Sequence, residues 1–173
     1  MNIKSLVRGS IIAGLYYSLV LLFHPISFGI GSLGLQLRVS ELLTVLPFFF
    51  PEAILGLAVG CLLANLFPMS PFGWVDVVFG SLCTLIAAMI TFSLSKFKKP
   101  MLAYAGIIPP VLINALGVGL YISLLAQPTA EKIFSWKIYS LVGLSIFAGQ
   151  AISVGIGGSI LITYLLKKGS NIQ

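Results

Sequence analysis

Charge is what this sequence has least of. Only 8% of its 173 residues are charged, ten basic and four acidic, where an ordinary soluble domain has about 25%. Histidine is nearly missing as well: His24 stands alone before Pro25. No second His, Cys or clustered carboxylate accompanies it, so no metal set is expected. The two cysteines, Cys61 and Cys83, lie in separate apolar runs. Their spacing fits neither metal ligation nor a disulfide framework, and both read as buried, inert thiols. A G-x-x-x-x-G-K-[ST] phosphate loop, a G-x-S-x-G elbow and an H-E-x-x-H pair are all absent. ATP binding by a P-loop and the commoner hydrolase chemistries are thereby excluded, and neither an enzyme nor a cofactor is expected. The formal charge of +6 falls as short groups at the ends of apolar segments. With no basic face and no aromatic-basic repeat, it does not read as a nucleic-acid surface.

What fills the chain instead is apolar residue. Hydrophobic types make up 58% of it, and the mean hydropathy of +1.10 is that of an integral membrane protein. The pattern predicts a single all-α membrane domain, 1–173, with six transmembrane helices over about 6–23, 39–50, 51–67, 75–94, 101–125 and 139–166. Lys4 and Arg8 before a short apolar run imitate a signal peptide. No small-x-small cleavage signal follows, so the segment is expected to be retained as the first helix. A linker with Gly29, Gly31 and Gly34 comes next and reads as an adaptable loop. The second and third segments share one apolar stretch broken by Pro47, Pro51 and Glu52. As one helix it would be too long and would bury Glu52, so a tight reversal at Phe50-Pro51-Glu52 is expected.

The positive-inside rule gives the orientation. With both termini cytoplasmic, the inside holds Lys4, Arg8, Lys96, Lys98, Lys99, Lys167 and Lys168, and the outside only Arg38, Lys132 and Lys137. A multi-pass protein of the cell membrane with both ends inside follows. Arg38, Glu41, Asn65, Trp74 and Asp76 then gather toward the outer surface.

Polar residues in so apolar a chain are the candidates for function. Three of the four acids, Glu41, Glu52 and Asp76, fall between Arg38 and Asp76, and ionisable groups in or beside lipid are expensive enough to default to a role. Asn114 and Gln150 sit mid-helix, where an amide needs a partner in protein, water or ligand. Each is either interhelical glue or a ligand contact. Asn114, Gly117 and Tyr121 are expected to share a helical face, with room for a flat ligand between amide and ring. Arg38 and Glu41, at i and i+3, can satisfy each other as a local pair, and Glu52 reads as a cap or a partner contact. Trp74 and Trp136 suit an aromatic belt. In the first helix Ser10, Gly14 and Ser18 recur every four residues beside Gly9 and Ala13. This row of small side chains suits close approach of another helix, from this chain or from a partner. Ala151, Gly155 and Ser159 form a similar row in the sixth helix, read as internal packing.

The run from Arg38-Val-Ser-Glu-Leu-Leu-Thr44 through Pro47 to Phe50, then Pro51-Glu-Ala-Ile-Leu-Gly56, Gly60-Cys-Leu-Leu-Ala-Asn-Leu66 and Asp76-Val-Val-Phe-Gly-Ser-Leu82, resembles the QueT family of queuosine-precursor transporters. These are substrate-binding S-components of energy-coupling factor (ECF) transporters. The resemblance implies a protein that captures a 7-deazaguanine such as preQ1, preQ0 or queuine from outside. It also implies a transmembrane coupling subunit and two ATPase subunits as partners, with the Gly9, Ser10, Ala13, Gly14 and Ser18 face docking on the coupling subunit. A base of this kind offers N–H donors and a carbonyl on a flat ring. Asn65, Asn114 and Gln150 can pair with its edges, Glu41 or Asp76 can accept from its guanidine-like edge or an aminomethyl cation, and Tyr17, Trp74 and Tyr121 can stack on its face. Arg38 completes the candidate ligand set. Gln150 stands where the resemblance leads us to expect an acid, which keeps a neutral nitrile or a larger queuine-type ligand open. The alternatives are an S-component for another vitamin or purine-like nutrient, and a structural membrane subunit whose polar groups serve packing alone.

Overall fold

The computed structural model describes residues 2–27, 37–67, 70–125 and 134–170. The glycine-rich linker and Lys132 lie outside these residues. Six helices carry the fold: α1 (Ile3–Leu22), α2 (Val39–Phe48), α3 (Ala53–Leu66), α4 (Gly73–Ser95), α5 (Leu102–Leu125) and α6 (Trp136–Lys168). A single turn, His24–Ser27, follows α1. The observed ends differ from the expected ones by at most three residues, at the starts of α1 and α6.

Length separates two kinds of helix. At 1.5 Å per residue the 20, 23, 24 and 33 residues of α1, α4, α5 and α6 each reach the roughly 30 Å of a hydrocarbon core. The 14 residues of α3 reach only about 21 Å. α2 is a 3₁₀ helix of ten residues, about 20 Å at 2.0 Å per residue. Pro47 supplies no N–H near its end, and Thr44 turns its hydroxyl back to the Glu41 carbonyl at 2.6 Å, so the tighter winding suits this sequence. The chain then turns over residues 49–52 into α3, where the prolines predict the break.

α2 is nevertheless the centre of the bundle, with seven of its ten residues buried. It packs on α1, α3, α4 and α6. Glycines permit the close crossings. A Cβ at Gly56 would lie 2.6 Å from the Gly9 carbonyl oxygen, and one at Gly60 would lie 2.9 Å from both the Ala13 oxygen and the Tyr16 Cβ. α3 therefore lies directly against α1. Gly157 and Gly158 of α6 meet Leu42 and Val45 of α2 in the same way, at 3.1 and 3.0 Å. Outward, α1, α5 and α6 present Ile11, Leu15, Leu116, Ile156 and Ile160, all more than half or about half exposed, as lipid-facing helices do.

Each of α4, α5 and α6 also contains a widened π-type stretch, over Asp76–Gly80, Asn114–Val118 and Ala151–Gly158. Such turns are rare and concentrate at functional sites. Here they begin at Asp76, at Asn114 and directly after Gln150.

One local reading is corrected, and of the two offered for Glu52 the cap is set aside. Arg38 does not pair with Glu41: its Nη2 lies 3.2 Å from Asp76 Oδ2, because the two side chains leave the start of a tight helix toward different neighbours. Glu52 precedes α3 but makes no capping hydrogen bond. It accepts instead from the Arg8 guanidinium, 3.3 Å away, which also lies over the Phe50 ring.

Candidate ligand-binding site

Two buried carboxylates organise the polar interior. The first, Glu41, projects from the first turn of α2 and is 1% exposed. Because Gly60 lets α3 close on α1, Tyr16 is pressed inward, and its hydroxyl donates to Glu41 Oε1 at 2.5 Å. The Nδ2 of Asn114 donates to the other oxygen, Oε2, at 3.2 Å. Both carboxylate oxygens are thus held by donors from helices on either side of α2.

The second, Asp76, is 0% exposed at the start of the widened turn in α4. Oδ1 accepts from the Tyr121 hydroxyl of α5, and Oδ2 accepts from Ser70 and from Arg38. Asn65 Nδ2 donates to the Asp76 backbone carbonyl at 3.1 Å, so α3 secures the same turn. Gly80, one turn on, leaves the space for this network. A Cβ there would stand 2.8 Å from Asp76 Oδ1 and 3.0 Å from Asn65 Nδ2. An isolated buried charge costs far more than a paired and hydrogen-bonded one, and this density of donors is what keeps Arg38 and Asp76 in place.

Between the two networks lies a small cavity lined by Arg38, Asn114, Val118, Ile146 and Gln150. Counted as space for water centres it measures about 10 Å³, room for about one water molecule. Gln150 is 4% exposed, and its Oε1 has no hydrogen-bond partner among the described residues; the same holds for the buried hydroxyls of Ser40 and Ser153. Leaving such a group unpaired costs about 1–3 kcal/mol each. Of the three, Gln150 alone lines the cavity, and a polar group retained there at that cost is suited to a polar occupant.

The residues expected at a site therefore separate. Arg38, Asn114 and Gln150 meet at the cavity. Glu41, Asp76, Asn65 and Tyr121 stand directly behind them. Tyr17 packs at the edge of the apolar cluster around α1 and α3, and Trp74 is 64% exposed at the start of α4; neither reaches the cavity. Gly117 faces Cys83, whose Sγ would lie 2.8 Å from a Cβ there, because the π turn shifts the register of α5 after Asn114. Val118, not Gly117, shares the cavity wall with Asn114. Tyr16, Ser70 and Gly80 were not among the expected residues. α1 is apolar nearly all round, so its sequence does not say which of two adjacent tyrosines faces inward, and Ser70 lies in an irregular turn.

On the other side of the molecule a groove of about 490 Å³ runs between α1 and α3, lined by Gly9, Ser10, Ala13, Gly14, Gly56 and Val59 among others, with Glu52 as its acid. Gly9 and Ala13 are partly spent on the α3 contact, whereas Ser10, Gly14 and Ser18 are exposed, and a Cβ at Gly14 would meet nothing within 4 Å.

Four of the helices around this small cavity are long and apolar enough to cross a membrane, and comparison with known families says what kind of protein they build. The family described as QueT transporter matches residues 6–167. The chain belongs to the QueT transporter family. It is accordingly a multi-pass membrane protein, and membership of a transporter family is consistent with reading it as something other than an enzyme. The queuosine precursor transporter QueT of Lactococcus lactis subsp. cremoris (strain MG1363) is 36% identical over 83 residues. That stretch covers 47% of this chain and 45% of the relative, less than half the relative's length. No solved structure matches the chain.

Proposed function

We propose that this QueT-family chain is the substrate-binding S-component of an ECF-type transporter, and that it captures a queuosine precursor, a 7-deazaguanine such as preQ1, preQ0 or queuine. The observation that carries this reading is the unpartnered Gln150 Oε1 on a residue that shares a small cavity with Arg38 and Asn114, in a chain that belongs to a transporter family. A flat heterocycle with polar edges offers the donors and acceptor these groups need. The cavity holds about one water molecule, so a ring enters only if the surrounding helices part. One π turn, Asn114–Val118, lies on its wall, and the 3₁₀ helix and the π turn of α6 begin directly after the wall residues Arg38 and Gln150, which puts irregular backbone where that movement is required.

The exposed row Ser10, Gly14 and Ser18, with the groove beside it, is proposed as the docking face for the transmembrane coupling subunit, and two ATPase subunits would supply the energy. In this arrangement both termini are cytoplasmic. Calorimetry of the purified chain in detergent against queuosine precursors, queuine, guanine and several vitamins tests the substrate assignment. Saturable one-to-one binding of a deazaguanine without any ATPase present is expected. Binding of a vitamin in place of the deazaguanines would keep the capture role and overturn the substrate.

A further inference from the structure

The hydrogen-bond directions around the cavity go further than the choice of a purine-like base. Asn114 gives its Nδ2 to Glu41, so the end of its amide left for an occupant is the carbonyl oxygen, an acceptor. Gln150 adds a buried amide at the cavity whose Oε1 has no partner among the described residues, so it can turn this acceptor toward an N–H of an occupant. Arg38 lines the same space with a guanidinium, which can only donate. The two carboxylates do not line it. Each has both oxygens engaged by side chains of the protein, and both are buried behind the groups they hold.

We infer that Gln150 and Asn114 read an N–H edge of the ligand while Arg38 reads an adjacent carbonyl, with Glu41 and Asp76 orienting Asn114 and Arg38 without touching the ligand. Two acceptors and a cationic donor complement an edge that carries a carbonyl, a ring N–H and an amino group side by side. That is the lactam edge of a 2-amino-4-oxo pyrimidine ring. A base lacking the amino group leaves the Gln150 acceptor unpaired. An adenine-type edge, which places a ring acceptor beside an exocyclic amine, mismatches Asn114. This assignment rests on the capture role proposed above and fixes which residue sets its specificity: Gln150.

The test is a comparison of two ligands, 7-cyano-7-deazaguanine and its counterpart without the 2-amino group, titrated into the purified full chain in detergent. Wild-type protein is expected to prefer the amino-bearing base by about tenfold or more. Gln150→Met should bring the ratio near one, chiefly by weakening the amino-bearing base. Gln150→Glu, which keeps an acceptor, should restore the preference. Tyr121→Phe, acting only behind Asp76, should weaken both bases alike and leave the ratio unchanged. Equal affinity of wild-type protein for the two bases would overturn the assignment and leave the capture role standing, whatever the variants do. An unchanged ratio in Gln150→Met would do the same. Failure of wild-type protein to bind either base would overturn the capture of a deazaguanine itself.

Discussion

Arg38 and Asp76 meet at 3.2 Å across 38 residues of chain, both almost wholly buried. The pair ties the start of α2 to the first widened turn of α4, and Tyr121 adds α5 to the same point. Removing one partner of such a pair leaves a buried charge, at about 3–5 kcal/mol. Arg38→Met should therefore destabilise strongly. Joined with Asp76→Leu it should cost less than the two single changes together, with a coupling of about 1–3 kcal/mol in thermal unfolding in detergent. Strict additivity would mean that the two charges do not depend on each other.

Glu41 makes a sharper distinction between neighbouring residues. Tyr16 donates to it from within the core, while Tyr17 only flanks the apolar cluster. Tyr16→Phe should cost about 1–3 kcal/mol by leaving a buried carboxylate oxygen short of its donor. Tyr17→Phe should stay within about 0.5 kcal/mol of wild type. Equal effects in melting experiments would place Glu41 differently.

Gly80 and Gly14 predict opposite outcomes for the same added methyl group. At Gly80 the methyl would press on Asp76 and Asn65, so Gly80→Ala should lose about 1–3 kcal/mol of stability and weaken ligand binding with it. At Gly14 it would enter open space, and Gly14→Ala should be within about 0.5 kcal/mol of neutral. Melting temperature and calorimetric affinity of the two variants check both statements.

The proposed docking face carries its own expectation. A bulky side chain in the exposed row, Gly14→Leu, should abolish co-purification with a coupling subunit and its ATPases while the isolated chain still binds ligand. Intact complex formation by this variant would move docking to another face.

Much of the fold could be read from residue type because the bilayer imposes it. Apolar runs of the right length marked α1, α4, α5 and α6, and Pro47, Pro51 and Glu52 marked the break between α2 and α3. The cost of polar groups in lipid likewise singled out Arg38, Glu41, Asp76, Asn114 and Gln150, which the fold gathers around one small space. What could not be read depends on backbone geometry or long-range pairing. A π turn carries no local signature in Asn114–Val118, yet it replaces Gly117 by Val118 at the cavity. The i, i+3 spacing of Arg38 and Glu41 suggests a local pair, but the partner that decides Arg38 lies a whole helix hairpin away. Tyr16 and Tyr17 differ by one position and point about 100° apart, and only the contact of Gly60 with α1 selects between them.

The most direct measurement is a structure of the chain determined with a 7-deazaguanine bound. The account predicts the ring between Arg38, Asn114 and Gln150, in a cavity enlarged beyond its present 10 Å³, with Asp76 still on Arg38 and Glu41 still on Tyr16. A ligand held elsewhere, for example in the groove between α1 and α3, would contradict it.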